Sequence, residues 1–257
     1  MSPETQSSGM DVSYTFAGVL LDFDGTIIDS TEAIVENWKR YILFGTHHGQ
    51  PHTNNHRIGN ELGIDHEEIL RTSHGRRSID VLQQLDPAKA NWEYVSKMES
   101  QIPTLSKTPA VEIPGARNLL ESLTKLHIPH AIVTSGTKAL LNGWLNVLQL
   151  PHPQHVTVAE DVTLGKPDPE GYRKGKEKIL ASRENGDEGS KDVLVVEDAP
   201  AGIRAGKAAN CKVLAVATTH SVEALKEAGA DWVVRDLRFV GVERCDGGFR
   251  VGLSGLL

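Results

Sequence analysis

Hydrophobic positions along this chain fall into two recurring patterns. Short, continuous apolar runs occur at Phe16–Phe23, His130–Thr134, Val193–Val196, Val213–Val216 and Trp232–Val234, and their length suits buried strands. Between them, apolar residues recur at helical spacing over Ala116–Lys125, Thr137–Leu148, Pro169–Ala181, Ala201–Ala209 and Ser221–Ala228. Strands that alternate with helices predict a parallel sheet covered on both faces. Ligand sites in such sheets lie at the carboxyl ends of the strands.

The stretch from Ser30 to Pro109 breaks this rhythm. It has helical patterns at Thr31–Leu43, His66–Thr72, Ser78–Leu85 and Trp92–Ser100, and no run that reads as a buried strand. The predicted architecture is therefore α/β: a Rossmann-like parallel sheet core formed by residues 14–29 and 112–257, with an inserted helical domain at 30–111. Two polar segments, Gly45–Gly59 and Ser182–Lys191, read as surface loops.

Composition narrows the function without naming it. The 257 residues are 39% hydrophobic, enough for one large domain or two smaller ones. Lys plus Arg number 27 against 34 Asp plus Glu, and the net charge of −7 argues against a nucleic-acid or anionic-membrane partner. It leaves room for a small anionic substrate, which feels only its local pocket. Two cysteines, Cys211 and Cys245, exclude a disulfide-built scaffold and a Cys-based zinc site. The polar opening Met1–Thr15 does not read as a signal peptide, and no apolar run approaches the roughly 18 residues of a membrane span. A cytoplasmic location is the expectation. The sequence is silent on oligomeric state, and a monomer is the default.

Chemistry concentrates at four predicted strand ends. The first, Leu21-Asp22-Phe23-Asp24-Gly25-Thr26, places two carboxylates on the same side of an extended chain. Like charges this close repel, and burial raises the cost unless a cation or a proton compensates. A metal site or an acid/base pair meets that condition; a plain Asp-Gly turn would be commonplace and chemically silent. The second end, Val133-Thr134-Ser135-Gly136-Thr137, offers hydroxyls and N–H groups at a helix start, which suit an anion or a simple cap. The third, Gly165-Lys166-Pro167-Asp168-Pro169, sets Lys166 where it could neutralise an anion. The fourth, Val196-Glu197-Asp198-Ala199-Pro200, carries a second acidic pair. Oxygen-only ligands from two carboxylate sites suit Mg²⁺. Each end has a bland explanation alone, but four together, in this order, point to one site.

The ordered set DxDGTxxDS, a strand ending in Thr/Ser, KPDP and ED resembles the four motifs of the haloacid dehalogenase superfamily, from about Phe16 to Leu237. Four longer strings resemble its fungal glycerol-3-phosphatase and 2-deoxyglucose-6-phosphatase group: SHGRR at Ser73–Arg77, VTSG at Val133–Gly136, GKPDPEGY at Gly165–Tyr172 and EDAPAGIRAGKA at Glu197–Ala208. The resemblance implies a Mg²⁺-dependent phosphomonoester hydrolase for a small phosphorylated polyol or sugar, acting through an aspartyl-phosphate. Asp22 would be the nucleophile, and Asp24 the general acid and then the general base. Asp22, the backbone carbonyl of Asp24 and Asp198 would hold Mg²⁺, with Glu197 ligating or just behind. Thr134, the Ser135 amide and Lys166 would hold the phosphoryl oxygens. Dehalogenases of the superfamily lack the second Asp, so Asp24 favours phosphoryl transfer. The helical insert would be a mobile cap that excludes water, with His74, Arg76 and Arg77 at the substrate and Arg77 the favoured contact.

Two alternatives share these motifs. A β-phosphoglucomutase-like phosphomutase would pass the phosphoryl group to a second sugar hydroxyl instead of to water. A non-catalytic sugar-phosphate sensor could lose Asp22, Asp24 or Lys166, and all three are present. One departure from the family pattern is the stretch Lys39–Asn55, which reads as an insertion. Its histidines, with His56 just beyond (His47, His48, His52 and His56), share no regular face and no acidic partner, so a loop is expected there and not a metal site.

Overall fold

A computed structural model describes residues 12–44, 75–181 and 189–257. The chain enters through β1 (Val12–Phe16) and β2 (Gly18–Leu21), then a two-residue strand, β3 (Ile28–Asp29), leads into α1 (Thr31–Phe44). Helices α2 (Ser78–Leu85), α3 (Trp92–Ser100) and α4 (Ile102–Leu105) follow, and β4 (Val111–Glu112) returns to pair with β3. Alternation then resumes with α5 (Ala116–Lys125), β5 (His130–Val133), α6 (Lys138–Val147), β6 (His155–Thr157) and α7 (Glu170–Ala181). It continues with β7 (Val193–Glu197), α8 (Pro200–Ala208), β8 (Lys212–Val216), α9 (Val222–Glu227) and β9 (Trp232–Val234). A hairpin of β10 (Val240–Cys245) and β11 (Gly248–Leu253) closes the chain.

Six strands form one all-parallel sheet in the order β6-β5-β2-β7-β8-β9. Its strands are apolar throughout because both faces are covered, and successive side chains serve opposite cores. Val19, Leu21, Leu194, Val196, Leu214 and Val216 enter one cluster. Leu20, Val193, Val195, Val213 and Ala215, which lie between them in sequence, enter the other. The expected α/β fold is thus present.

The strand anticipated at Phe16–Phe23 is divided. Phe16 pairs antiparallel with Phe249, whereas Gly18 pairs parallel with Val193, so the chain changes sheet at Ala17. β1, β11 and β10 make a separate antiparallel sheet in that order. The hairpin had a readable signal in Asp246-Gly247, a tight-turn pair with Gly247 at φ +80°. Its strands are half polar, and the cross-strand pair Arg250–Glu243 (2.7 Å) lies on that outer face.

The helical insert has its own small core of Trp38, Tyr41, Val81, Leu82, Leu85 and Val95. The β3–β4 ribbon joins its two ends, pairing Ile28 with Glu112 and Asp29 with Val111. Two residues per strand are too few to give a periodic signal. α1 continues to Phe44, so the first residues of the stretch Lys39–Asn55 are helical where a loop was expected. The remainder of that stretch with its histidines, the helix expected at His66–Thr72, and His74 lie outside the described residues. Among the described residues no helix is long and apolar enough to cross a membrane.

Phe249 is 1% exposed, with its ring 6.1 Å from that of Phe16. Phe249→Ala should cost about 3–5 kcal/mol, measured as a lower urea midpoint at unchanged m-value. A loss below about 1 kcal/mol would mean that the hairpin is not part of the core.

Candidate active site

β5, β2 and β7 are neighbours and run parallel, so the residues after their carboxyl ends converge. Asp22 follows β2, Thr134 follows β5, Glu197 ends β7 and Asp198 comes next. Asp22, Glu197 and Asp198 are all buried, with carboxylate oxygens within 4.8 Å of one another. Lys166 enters from the loop before α7. Its ammonium donates to Asp22, to Glu197 Oε1 (2.7 Å) and to the Val133 carbonyl (3.2 Å), and lies 5.0 Å from the centre of the Tyr172 ring.

Three buried carboxylates therefore face one ammonium. Burial pushes the Asp22 carboxyl well above the usual range; Lys166 pulls it down, and Glu197 and Asp198 push it further up. Burial also works against the Lys166 ammonium, but Asp22 and Glu197 outweigh it and hold its pKa above the ordinary lysine value. The deficit of positive charge and the all-oxygen donor set fit a hard divalent cation such as Mg²⁺.

Glu197 is one of the three carboxylates of this group and the most heavily engaged by the protein. Its Oε1 accepts from Lys166 and the Tyr172 hydroxyl (2.9 Å), and its Oε2 from the amides of Asp198 and Ala199 (2.9 Å each). Asp198 is itself oriented by two hydroxyls, Thr26 at 3.1 Å and Thr219. Thr26 belongs to the Asp-Gly-Thr run of the first strand end, whereas Thr219 had no motif to mark it. Two glycines make room for this packing. A Cβ at Gly202 would overlap the Glu197 carboxylate, and one at Gly25, where φ is +92°, would overlap that of Asp198.

Asp24 lies beside Asp22, with Oδ1 accepting from Ser30 (2.6 Å) and Oδ2 from Thr134 (3.4 Å). The turn after β5 has almost all its amides tied off. Thr134 N–H donates to the Thr157 carbonyl (3.0 Å), Gly136 N–H to Thr134 Oγ1 (2.9 Å) and Thr137 N–H to Glu99 Oε2 (2.8 Å). Lys138 N–H donates to the Glu160 carboxylate (3.1 Å). Among the described residues this leaves the Ser135 N–H as the open donor of the turn.

A cavity of about 50 Å³ opens over these groups, lined among others by Asp22, Asp24, Asn37, Arg76, Glu99 and Ser135. A larger one, about 780 Å³, lies at the opposite, amino-terminal edge of the sheet and contains none of the acidic pairs. Of the cations in the insert, Arg76 lines the smaller cavity and Arg77 does not. Arg77 is 5% exposed, and its five N–H groups are all engaged. They donate to both oxygens of Asp80 (2.8 and 2.7 Å) and to the carbonyls of Ala159, Val162 and Thr163. That geometry makes Arg77 a strut between the insert and the core, and Arg77 also lines a second small cavity with Thr134, Ser135 and Lys166. Spacing alone cannot tell two adjacent arginines apart.

Residues 19–216 match the haloacid dehalogenase-like hydrolase family. The chain is 37% identical over 226 residues to glycerol-1-phosphate phosphohydrolase 1 of Saccharomyces cerevisiae, covering 88% of this chain and 84% of that one. It is 32% identical over 235 residues to 2-deoxyglucose-6-phosphate phosphatase 1 of the same yeast, covering 87% and 89%. A crystal structure of a hydrolase from Pseudomonas syringae superposes with a TM-score of 0.63 at 23% identity, over 86% of this chain and 94% of that one, and shares the fold. The chain belongs to the haloacid dehalogenase-like hydrolase family.

Glu99 is 3% exposed, and burial, the largest influence, raises its carboxyl from the ordinary 4.5 to about 7. A raised carboxyl favours the folded state when neutral. Its contribution is complete below about pH 4.5 and is lost as pH rises through about 7, up to about 3 kcal/mol. Denaturant titrations at pH 5 and pH 8 should therefore show a larger loss of stability for the wild type than for Glu99→Gln. Equal losses would refute this source of pH dependence.

Proposed function

We propose that this chain hydrolyses monophosphate esters of small polyols or sugars. The observation that carries the reading is the grouping of Asp22, Asp24 and the open Ser135 amide around one cavity, with the Lys166 ammonium bonded to Asp22. Asp22 attacks phosphorus through a carboxylate oxygen, and the bond from phosphorus to the ester oxygen breaks. Asp24 gives its proton to the departing alkoxide. The resulting carboxylate then takes a proton from water, whose oxygen attacks the aspartyl-phosphate and releases phosphate and Asp22. Ser30 and Thr134 hold Asp24 for both transfers. Lys166, Thr134 and the Ser135 N–H carry the transferring oxygens. Asp22, the Asp24 carbonyl and Asp198 would hold Mg²⁺. When bound, the ion offsets the negative charge of the nucleophile and the phosphoryl group.

The helical insert acts as a cap: it roofs the cavity and keeps bulk water from the aspartyl-phosphate. Arg76 is the one cation among the described residues of the insert that line the cavity. Names of the yeast relatives support the same pair of substrate classes.

Glycerol phosphates, hexitol phosphates and 2-deoxyglucose-6-phosphate assayed with Mg²⁺ should release free phosphate. Asp22→Asn and Asp24→Asn should each lower kcat on the order of 10³-fold or more, with folding intact. Chelation with EDTA should abolish turnover, and added Mg²⁺ should restore it. Arg76→Ala should raise KM more than it lowers kcat. Interconversion of sugar phosphates without phosphate release would instead establish the phosphomutase, and near-normal turnover by Asp22→Asn would overturn the mechanism.

A further inference from the structure

We propose that Glu99, a buried carboxylate of the helical insert, is a positioning residue that sets the turn after β5 so that the Ser135 N–H faces the phosphoryl group. The inference rests on the phosphatase reading above for its catalytic consequence, but not for its geometry.

Glu99 sits on α3, in the insert. One of its oxygens accepts from Ser78 Oγ, at the start of α2, and the other from the Thr137 N–H, at the start of α6 in the core. It therefore joins two helices of the insert to the loop that follows β5. Thr137 Oγ1 caps the Leu140 N–H at 3.2 Å, but the Thr137 N–H is itself an orphan donor of the helix start in a fully buried residue. The acceptor for it comes from another segment, the insert, and not from α6 or the loop.

The position is uncomfortable for a charge. Among the described residues Glu99 has no cationic partner, and Asp24 is close enough to disfavour its ionised form. A buried carboxylate so placed costs stability, and an apolar or amide side chain would relieve that cost. What Glu99 adds is the selection of a donor. With Thr137 N–H taken by Glu99, Gly136 N–H by Thr134 and Lys138 N–H by Glu160, the turn is held in a shape with one outward amide, that of Ser135. Ser135 Oγ is tied the other way, to the Gly75 carbonyl of the insert (2.8 Å). A second contact between insert and loop thus lies on the same residue whose amide is open. When the insert is seated, Glu99 and Gly75 grip the loop from above. When it lifts, both contacts break and the loop is free to turn its amides elsewhere. Seating the insert and preparing the phosphoryl site are then one event.

The test is Glu99→Met in the full chain, which keeps the length of the side chain and removes both acceptors, that of the Ser78 hydroxyl and that of the Thr137 N–H. Two readouts separate the inference from the functional reading. Amide hydrogen exchange, which needs no substrate, should rise at least tenfold over Thr134–Leu140 and less than twofold in α2 and α3. With glycerol phosphate, kcat should fall at least tenfold while KM changes less than threefold, because the lost contact orients a group used in the transition state. Unchanged exchange in the loop overturns the inference whether or not any ester is hydrolysed. Loosened exchange with wild-type kcat overturns it as well, as does a rise in KM alone. If Glu99→Met melts the insert, exchange rises equally in α2, α3 and the loop, and a merely structural role replaces the one proposed. Failure of the wild type to hydrolyse any ester would defeat the phosphatase reading and leave the exchange result to decide the positioning role. Glu99→Asp, one methylene shorter, should not restore kcat, whereas a simple need for negative charge there predicts that it would.

Discussion

The contact of one ammonium with two buried carboxylates, Lys166 with Asp22 and Glu197, is the constraint around which the rest is arranged. An isolated buried charge costs several kcal/mol, and a mutual attraction repays that only when the remaining donors and acceptors are satisfied as well. Here they are satisfied by backbone: the Val133 carbonyl accepts from the ammonium, and the amides of Asp198 and Ala199 donate to Glu197. These groups come from three different strand ends. Only a parallel sheet with β5, β2 and β7 adjacent brings them to one place, so the site depends on strand order before it depends on any side chain. The same packing dictates smallness nearby, which is why Gly25 and Gly202 are glycines. Lys166 neutralises part of the cluster and leaves an excess of buried negative charge that a hard cation would suit.

The core chemistry was legible because it is local. Carboxylates and a hydroxyl lie within a residue or two of apolar runs, and a parallel sheet makes the ends of such runs converge. Asp22, Asp24, Thr134, Ser135 and Asp198 could be picked from sequence on that basis, whereas Lys166, nine residues beyond β6, stood out through its Gly-Lys-Pro-Asp-Pro run. The helical boundaries of Ser78–Leu85, Trp92–Ser100 and Ala116–Lys125 were legible for a similar reason, since each has a clean apolar face.

What could not be read depends on tertiary geometry. Glu197 belongs to the motif, but its four donors come from residues 31 positions before it to 2 after it, and only their convergence shows how heavily its oxygens are engaged. Arg76 and Arg77 are adjacent and chemically equal; a half-turn of backbone sends one toward the cavity and the other into a fork on Asp80 and three carbonyls. Thr219 and Glu99 carry no local signal at all. The hairpin β10–β11 failed for a different reason: its Asp-Gly turn was present, but strands that are half polar and laced by ion pairs look like surface loop.

Arg77 and Glu99 together say what kind of roof the insert makes. An apolar interface between insert and core would slide, because dispersion contacts are weakly directional. Arg77 replaces that freedom with a planar fork whose hydrogen bonds to Val162 (2.7 Å) and Thr163 (3.0 Å) have one geometry. Glu99 does the same on the other flank through Thr137. Both groups are buried, so parting the insert from the core would break two sets of directional hydrogen bonds at once, and between them these contacts fix where the insert sits over the turn after β5.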